Sequence, residues 1–71
     1  MRFELLQKIH DLTGKNALFE LDKDNLKNSD PEVIRVLIWL YRQQEKPDLK
    51  LDEVTDFTIE ELAKAYEFFR G

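Results

Sequence analysis

Val33, Ile34, Val36, Leu37, Ile38, Trp39, Leu40 and Tyr41 form a nearly continuous apolar run, broken only by Arg35. Ser29-Asp30-Pro31-Glu32 precedes the run and Lys46-Pro47 follows it. Ser29 and Glu32 fit a capping box, in which a hydroxyl accepts one free backbone N–H of the first turn and a carboxylate accepts another. Pro31 falls within that turn, where its missing N–H leaves nothing unsatisfied. Pro47 biases the residue before it away from helical geometry. The spacing therefore predicts a helix over residues 30–45, about 24 Å long at ~1.5 Å per residue. Its apolar side chains point in nearly every direction around the axis, and a helix of that kind packs on more than one side. This segment is expected to be the hub of the fold.

The flanking segments read as helices too. Leu5, Ile9 and Leu12 share one stripe over residues 3–13, with Phe3 and Leu6 beside it, and Gly14 supplies the left-handed residue that ends many helices. Asn16 caps a second, weaker helix over about residues 17–27, with Leu18, Phe19 and Leu21 on its apolar side. After Pro47, Leu49 and Val54 fit a hydrophobic staple around a helix start at Lys50. A lysine cannot accept the backbone N–H that Ser or Thr would accept, so threonine there is expected to stabilise by about 0.5–2 kcal/mol. Thr58 and Glu61 form a second capping box, stapled by Phe57 and Leu62, ahead of Ile59, Leu62, Ala63, Tyr66 and Phe69 at helical spacing. No strand pattern or internal repeat occurs. The expected architecture is all-α, one domain over residues 1–71, with four or five short helices around the central one.

The chain has 71 residues, near the lower limit for a single unaided core, and its 42% hydrophobic content with five Phe, two Tyr and one Trp suffices to build one. It has no cysteine, which excludes disulfides and thiolate metal sites. The net charge of −4 is localised. Acids and bases balance before residue 48, whereas Asp48, Asp52, Glu53, Asp56, Glu60 and Glu61 face only Lys50 in the stretch up to residue 61. That field repels phosphate backbones, so nucleic acid is not an expected partner. The longest apolar run falls far short of the roughly 20 residues that span a bilayer, and the N-terminus lacks a signal-peptide core. A cytoplasmic protein is expected.

The residues that carry chemistry are few. His10 is the only histidine, Ser29 the only serine, and a cap role accounts for Ser29. The carboxylate pairs Asp52/Glu53 and Glu60/Glu61 are adjacent in sequence, so on a helix they diverge by ~100°, and acids in a first turn suit its positive end. A calcium loop begun at Asp22 would place Leu26, Lys27 and Val33 where an oxygen ligand, glycine and glutamate are required. The two glycines make no phosphate loop. Hence no enzyme is expected, and no catalytic, metal or cofactor residue. The aromatic residues offer more: Phe68 and Phe69 are adjacent and cannot share one face, and Trp39 lies off the Val33-Leu37-Leu40 stripe. Trp39, Arg42, Tyr66, Phe68 and Phe69 are the protein-binding candidates.

The order of motifs is informative as a whole. Leu12-Thr13-Gly14-Lys15 with Leu18-Phe19, then Ser29-Asp30-Pro31-Glu32, Leu37-Ile38-Trp39, Lys46-Pro47-Asp48-Leu49 and Leu51-Asp52-Glu53-Val54 resembles small tail assembly chaperones of long-tailed bacteriophages and gene transfer agents. The similarity spans residues 5–69, and Lys50 departs from it where a Thr or Ser cap would stand. The resemblance implies an all-α protein that binds the helical tape measure protein, and tail tube subunits, during assembly and is absent from the mature virion. An amphipathic groove covering the apolar stripes of a long helix is the physical rationale. Self-association stays open. Two alternatives remain: a small acidic phage or bacterial regulator that binds another protein, and a helical DNA-binding domain reading through Arg35 and Arg42.

Overall fold

The computed structural model describes residues 1–71 and contains four α-helices, Phe3–Thr13 (α1), Ala17–Glu20 (α2), Pro31–Arg42 (α3) and Ile59–Arg70 (α4), with no strand. Single 3-10 turns at Leu26–Asn28 and Leu51–Glu53 punctuate the two longer connections. α3 is the hub, packed against α1 on one side and α4 on the other. Val33, Ile34, Val36, Leu37, Ile38 and Leu40 are all buried. Leu5 and Ile9 of α1, Ala17, Leu21, Val54, and Leu62, Ala65 and Phe69 of α4 complete the core. The radius of gyration, 10.9 Å, matches the ~11 Å of a compact chain this long.

Helix starts follow local chemistry, with one exchange of roles. Asp30, not Ser29, caps α3: its Oδ1 accepts the N–H groups of Glu32 at 2.9 Å and Val33 at 3.1 Å. Ser29 is buried and its Oγ accepts the Asp22 N–H at 2.7 Å. Both residue types are good caps, so local preference did not separate them; the tertiary bond to Asp22 does. Pro31 then occupies the first helical position. α3 stops at Arg42, three residues short of the expected Glu45, and loosens into turns ahead of Pro47. Thr58 caps α4 by accepting the Glu61 N–H at 3.0 Å, but the Glu61 carboxylate turns away to Arg42 instead of closing the box.

Three further expectations are corrected. α2 ends at Glu20 rather than near residue 27, because the Asp22 carboxylate accepts the N–H groups of Asp24 and Asn25 and turns the backbone out of the helix. The helix expected from Lys50 is one 3-10 turn, in which Lys50 and Glu53 still exchange two bonds: the Glu53 carboxylate accepts the Lys50 N–H and the Lys50 carbonyl accepts the Glu53 N–H, each at 3.0 Å. Leu12 and Ile59, expected on buried stripes, are exposed. At ~100° per residue, Thr13 lies nearer the Ile9 direction than Leu12 does, and α4 buries Leu62, Ala65 and Phe69 while Ala63 faces solvent. Gly14 does end α1 as expected, with φ +71° and its N–H donating to the His10 carbonyl at 2.8 Å.

Candidate functional site

The polar edge of α3 holds the acidic segment between α3 and α4 by its backbone. The Trp39 indole N–H donates to the Leu49 carbonyl at 2.8 Å, and Arg35 donates to the carbonyls of Leu51 and Val54 at 3.1 and 3.3 Å. Arg42 completes the series with a 2.7 Å bond to the Asp56 carbonyl. Its guanidinium also grips Glu61 with two bonds of 2.7 Å, joining α3 to α4. That hydrogen bonding raises the Arg42 pKa and holds the Glu61 carboxyl below its ordinary range, against the opposing effect of burial. Both groups remain charged and are spent on each other. The two arginines named for DNA reading are thus engaged within the fold, Arg42 by a carboxylate and Arg35 by carbonyls alone.

An open cleft of about 1160 Å³ lies between the C-terminal end of α3, the following turns and α4. Arg42 and Phe68, two of the five candidates, line it together with Tyr41, Leu49 and Glu61. The Tyr41 and Phe68 rings meet at 5.7 Å between centroids with a 59° tilt, and the Arg2 guanidinium sits 4.9 Å above Phe68. Charges on the cleft wall are mixed, with Glu45, Glu53, Glu60 and Glu61 against Arg42, Lys46 and Lys64. The other candidates lie elsewhere. Phe69 is only 3% exposed and belongs to the core. Trp39 and Tyr66 are half-buried against it, Trp39 beside Leu49 and Tyr66 between Phe69 and the Arg70 guanidinium. The structure does not assemble these five residues into one surface.

Apart from Ile59 at the start of α4, 61% exposed, the most exposed large apolar side chains in helices lie on α1 and α2. Phe19 is 83% exposed and Phe3 71%, and Leu12 and Leu18 are about half exposed. Leu12, Leu18 and Phe19 flank the Gly14 turn, where α1 hands over to α2. This depends on α2 stopping after a single turn, which periodicity does not show. A one-turn helix that buries Ala17 and Leu21, four apart, must point residues 18 and 19 elsewhere. The helix expected over residues 17–27 carries Leu18 and Phe19 with Leu21 on its apolar side; the single turn leaves the first two in solvent. By contrast, every buried side-chain nitrogen and oxygen has a hydrogen-bond partner. No group of three or more His, Asp or Glu residues is placed to hold a metal ion, and no helix is long and apolar enough to cross a membrane.

No protein-family model, no curated protein and no solved structure matches the chain.

Proposed function

We propose that the protein is a non-catalytic tail assembly chaperone of a long-tailed phage or prophage, which covers an apolar stripe of the helical tape measure protein while tail tube subunits assemble. The carrying observation is the set of apolar side chains left in solvent at the α1–α2 end, Phe19 at 83% exposure with Leu12 and Leu18 beside the same turn. Scattered exposed leucines need no explanation, but a nearly bare phenylalanine next to a half-exposed leucine on a single helical turn, with Leu12 exposed just before the Gly14 turn, is the kind of surface that meets a partner. An amphipathic helix laid across such a surface exchanges exposed for buried apolar area on both sides. On this reading the protein works in the host cytoplasm and leaves before the virion is complete.

Co-expression with the tape measure protein of the same genome tests the proposal. The tape measure protein is expected to stay soluble and to co-purify with the wild-type chain. The double variant Leu18→Glu/Phe19→Glu should lose that capture while keeping wild-type circular dichroism and thermal midpoint. A tape measure protein that is equally insoluble with and without the chain overturns the proposal.

A second reading is favoured by a separate observation. Asp48, Asp52, Glu53, Asp56 and Glu60 are all exposed on or beside the segment that α3 pins down, a surface suited to a basic regulatory partner. Charge reversal at Asp52 and Glu53 would abolish binding in that case and leave tape-measure capture intact in the first.

A further inference from the structure

Ser29 and Asp30 hold α2 from both ends. Before α2, the Lys15 ammonium reaches Asp30 Oδ2 at 2.8 Å and Glu32 Oε1 at 3.4 Å. At the far end, the Asp30 N–H donates to the Glu20 carbonyl at 3.1 Å, and the Asp22 N–H donates to the Ser29 hydroxyl at 2.7 Å. Asp30 caps α3 through its other oxygen, Oδ1, so the cap's own hydrogen bonds do not involve Lys15. Capping explains Asp30 and leaves Lys15 unaccounted for. A four-residue helix does not persist alone, because nucleation costs more than one turn returns. Its order has to be imposed from outside.

We propose that Lys15 and Asp30 form a latch that holds α2 in place and presents Leu18 and Phe19 as a pre-ordered docking turn, with Lys15 acting as a positioning residue. The docking part rests on the reading that this turn meets an apolar helical partner; the latch itself does not. Ordering the turn in advance removes an entropic cost that binding would otherwise meet, so the latch strengthens capture without touching the partner.

Amide hydrogen exchange on the full chain, followed by NMR, reads the latch directly. The amides of Phe19, Glu20 and Leu21 donate to the carbonyls of Asn16, Asn16 and Ala17, so they report the closure of α2. Lys15→Met keeps the Asp30 cap and should speed their exchange about threefold, the size expected when one partly exposed pair is lost. Amides of α4 should not change, and Lys15→Arg should restore α2. Wild-type protein in ~1 M NaCl, where the Debye length is about 3 Å, should show the same local loss without any substitution. Unchanged exchange at residues 19–21 in both tests overturns the latch. Affinity for an immobilised tape measure fragment should fall about threefold in Lys15→Met and recover in Lys15→Arg. Faster exchange with unaltered affinity overturns the positioning role. A wild-type chain that ignores the fragment counts against the proposed function, and exchange alone then decides the latch.

Discussion

Glu61 is held at two points: its backbone N–H donates to the Thr58 hydroxyl, and its carboxylate accepts both bonds from Arg42. Because Arg42 also holds the Asp56 carbonyl, the pair fastens the acidic segment and α4 to α3 at one point. Its electrostatics have a definite sign. The folded state lowers the Glu61 pKa, so the pair's contribution is complete above the unfolded carboxylate value and is lost as pH falls through the folded one. Asp30, lowered by Lys15 and by the Val33 N–H, adds to the same acid limb. Lys15, raised mainly by the Asp30 hydrogen bond, contributes below its ordinary value and loses that contribution only in strong alkali. We expect the thermal midpoint to fall as pH drops below about 4.5, where unperturbed glutamates begin to protonate. Glu61→Gln should flatten that fall and cost about 1–2 kcal/mol at pH 7, the worth of a charged hydrogen-bonded pair that is three-quarters buried. Thermal melts from pH 3 to 7 measure both. The sequence shows Thr58 and Glu61 as a box; it does not show Arg42, nineteen positions earlier, drawing the carboxylate away.

Elements were legible where periodicity was long and obscure where it was short. α1, α3 and α4 each repeat apolar residues over three turns or more, and their observed bounds lie within a few residues of those read from caps and prolines. α2 and the turn at Leu51–Glu53 have no such length, so their extent is decided by which polar side chain reaches which backbone group. At Asp22 the carboxylate wins two N–H groups and ends α2. At Lys50 the consequence cancels an expectation of the sequence. In a full α-helix the N–H of the third residue would be free for a capping hydroxyl, but here the Glu53 N–H already donates to the Lys50 carbonyl. A threonine hydroxyl at position 50 would compete for a satisfied donor. The expected gain therefore disappears, and Lys50→Thr should leave the midpoint within about 2 °C of wild type, as befits an exposed residue with no free group to satisfy. A melt showing a clear rise would mean that the turn extends to a helix in solution.

Taken whole, the molecule divides its apolar residues unevenly between folding and exposure, and the division separates the two kinds of evidence a sequence contains. The run from Val33 to Tyr41 announced a buried hub because no alternative could bury so many directions at once. Which apolar residues stay outside was not legible, since it depends on how far each neighbouring helix extends over its stripe: Leu12 and Ile59 fit a pattern and are exposed, whereas Ala65 lay outside the expected stripe and is buried. The same division predicts very unequal costs for two truncations, the smaller of them being the costlier. Leu37 is fully buried at the centre of α3, so Leu37→Ala removes transfer energy and opens a cavity between helices, about 2–5 kcal/mol. For a domain of this length, total stability is on the order of 4–10 kcal/mol, so that single change should remove a large fraction of it. Phe19 stands in water, and Phe19→Ala should change stability by less than about 0.5 kcal/mol. Urea unfolding of both variants checks the contrast. If Phe19→Ala costs as much as a core residue, the α1–α2 turn closes over that ring in solution and the docking surface is lost. If it costs nothing, the ring contributes nothing to folding and stands free for a contact outside this chain, as the proposed docking surface requires.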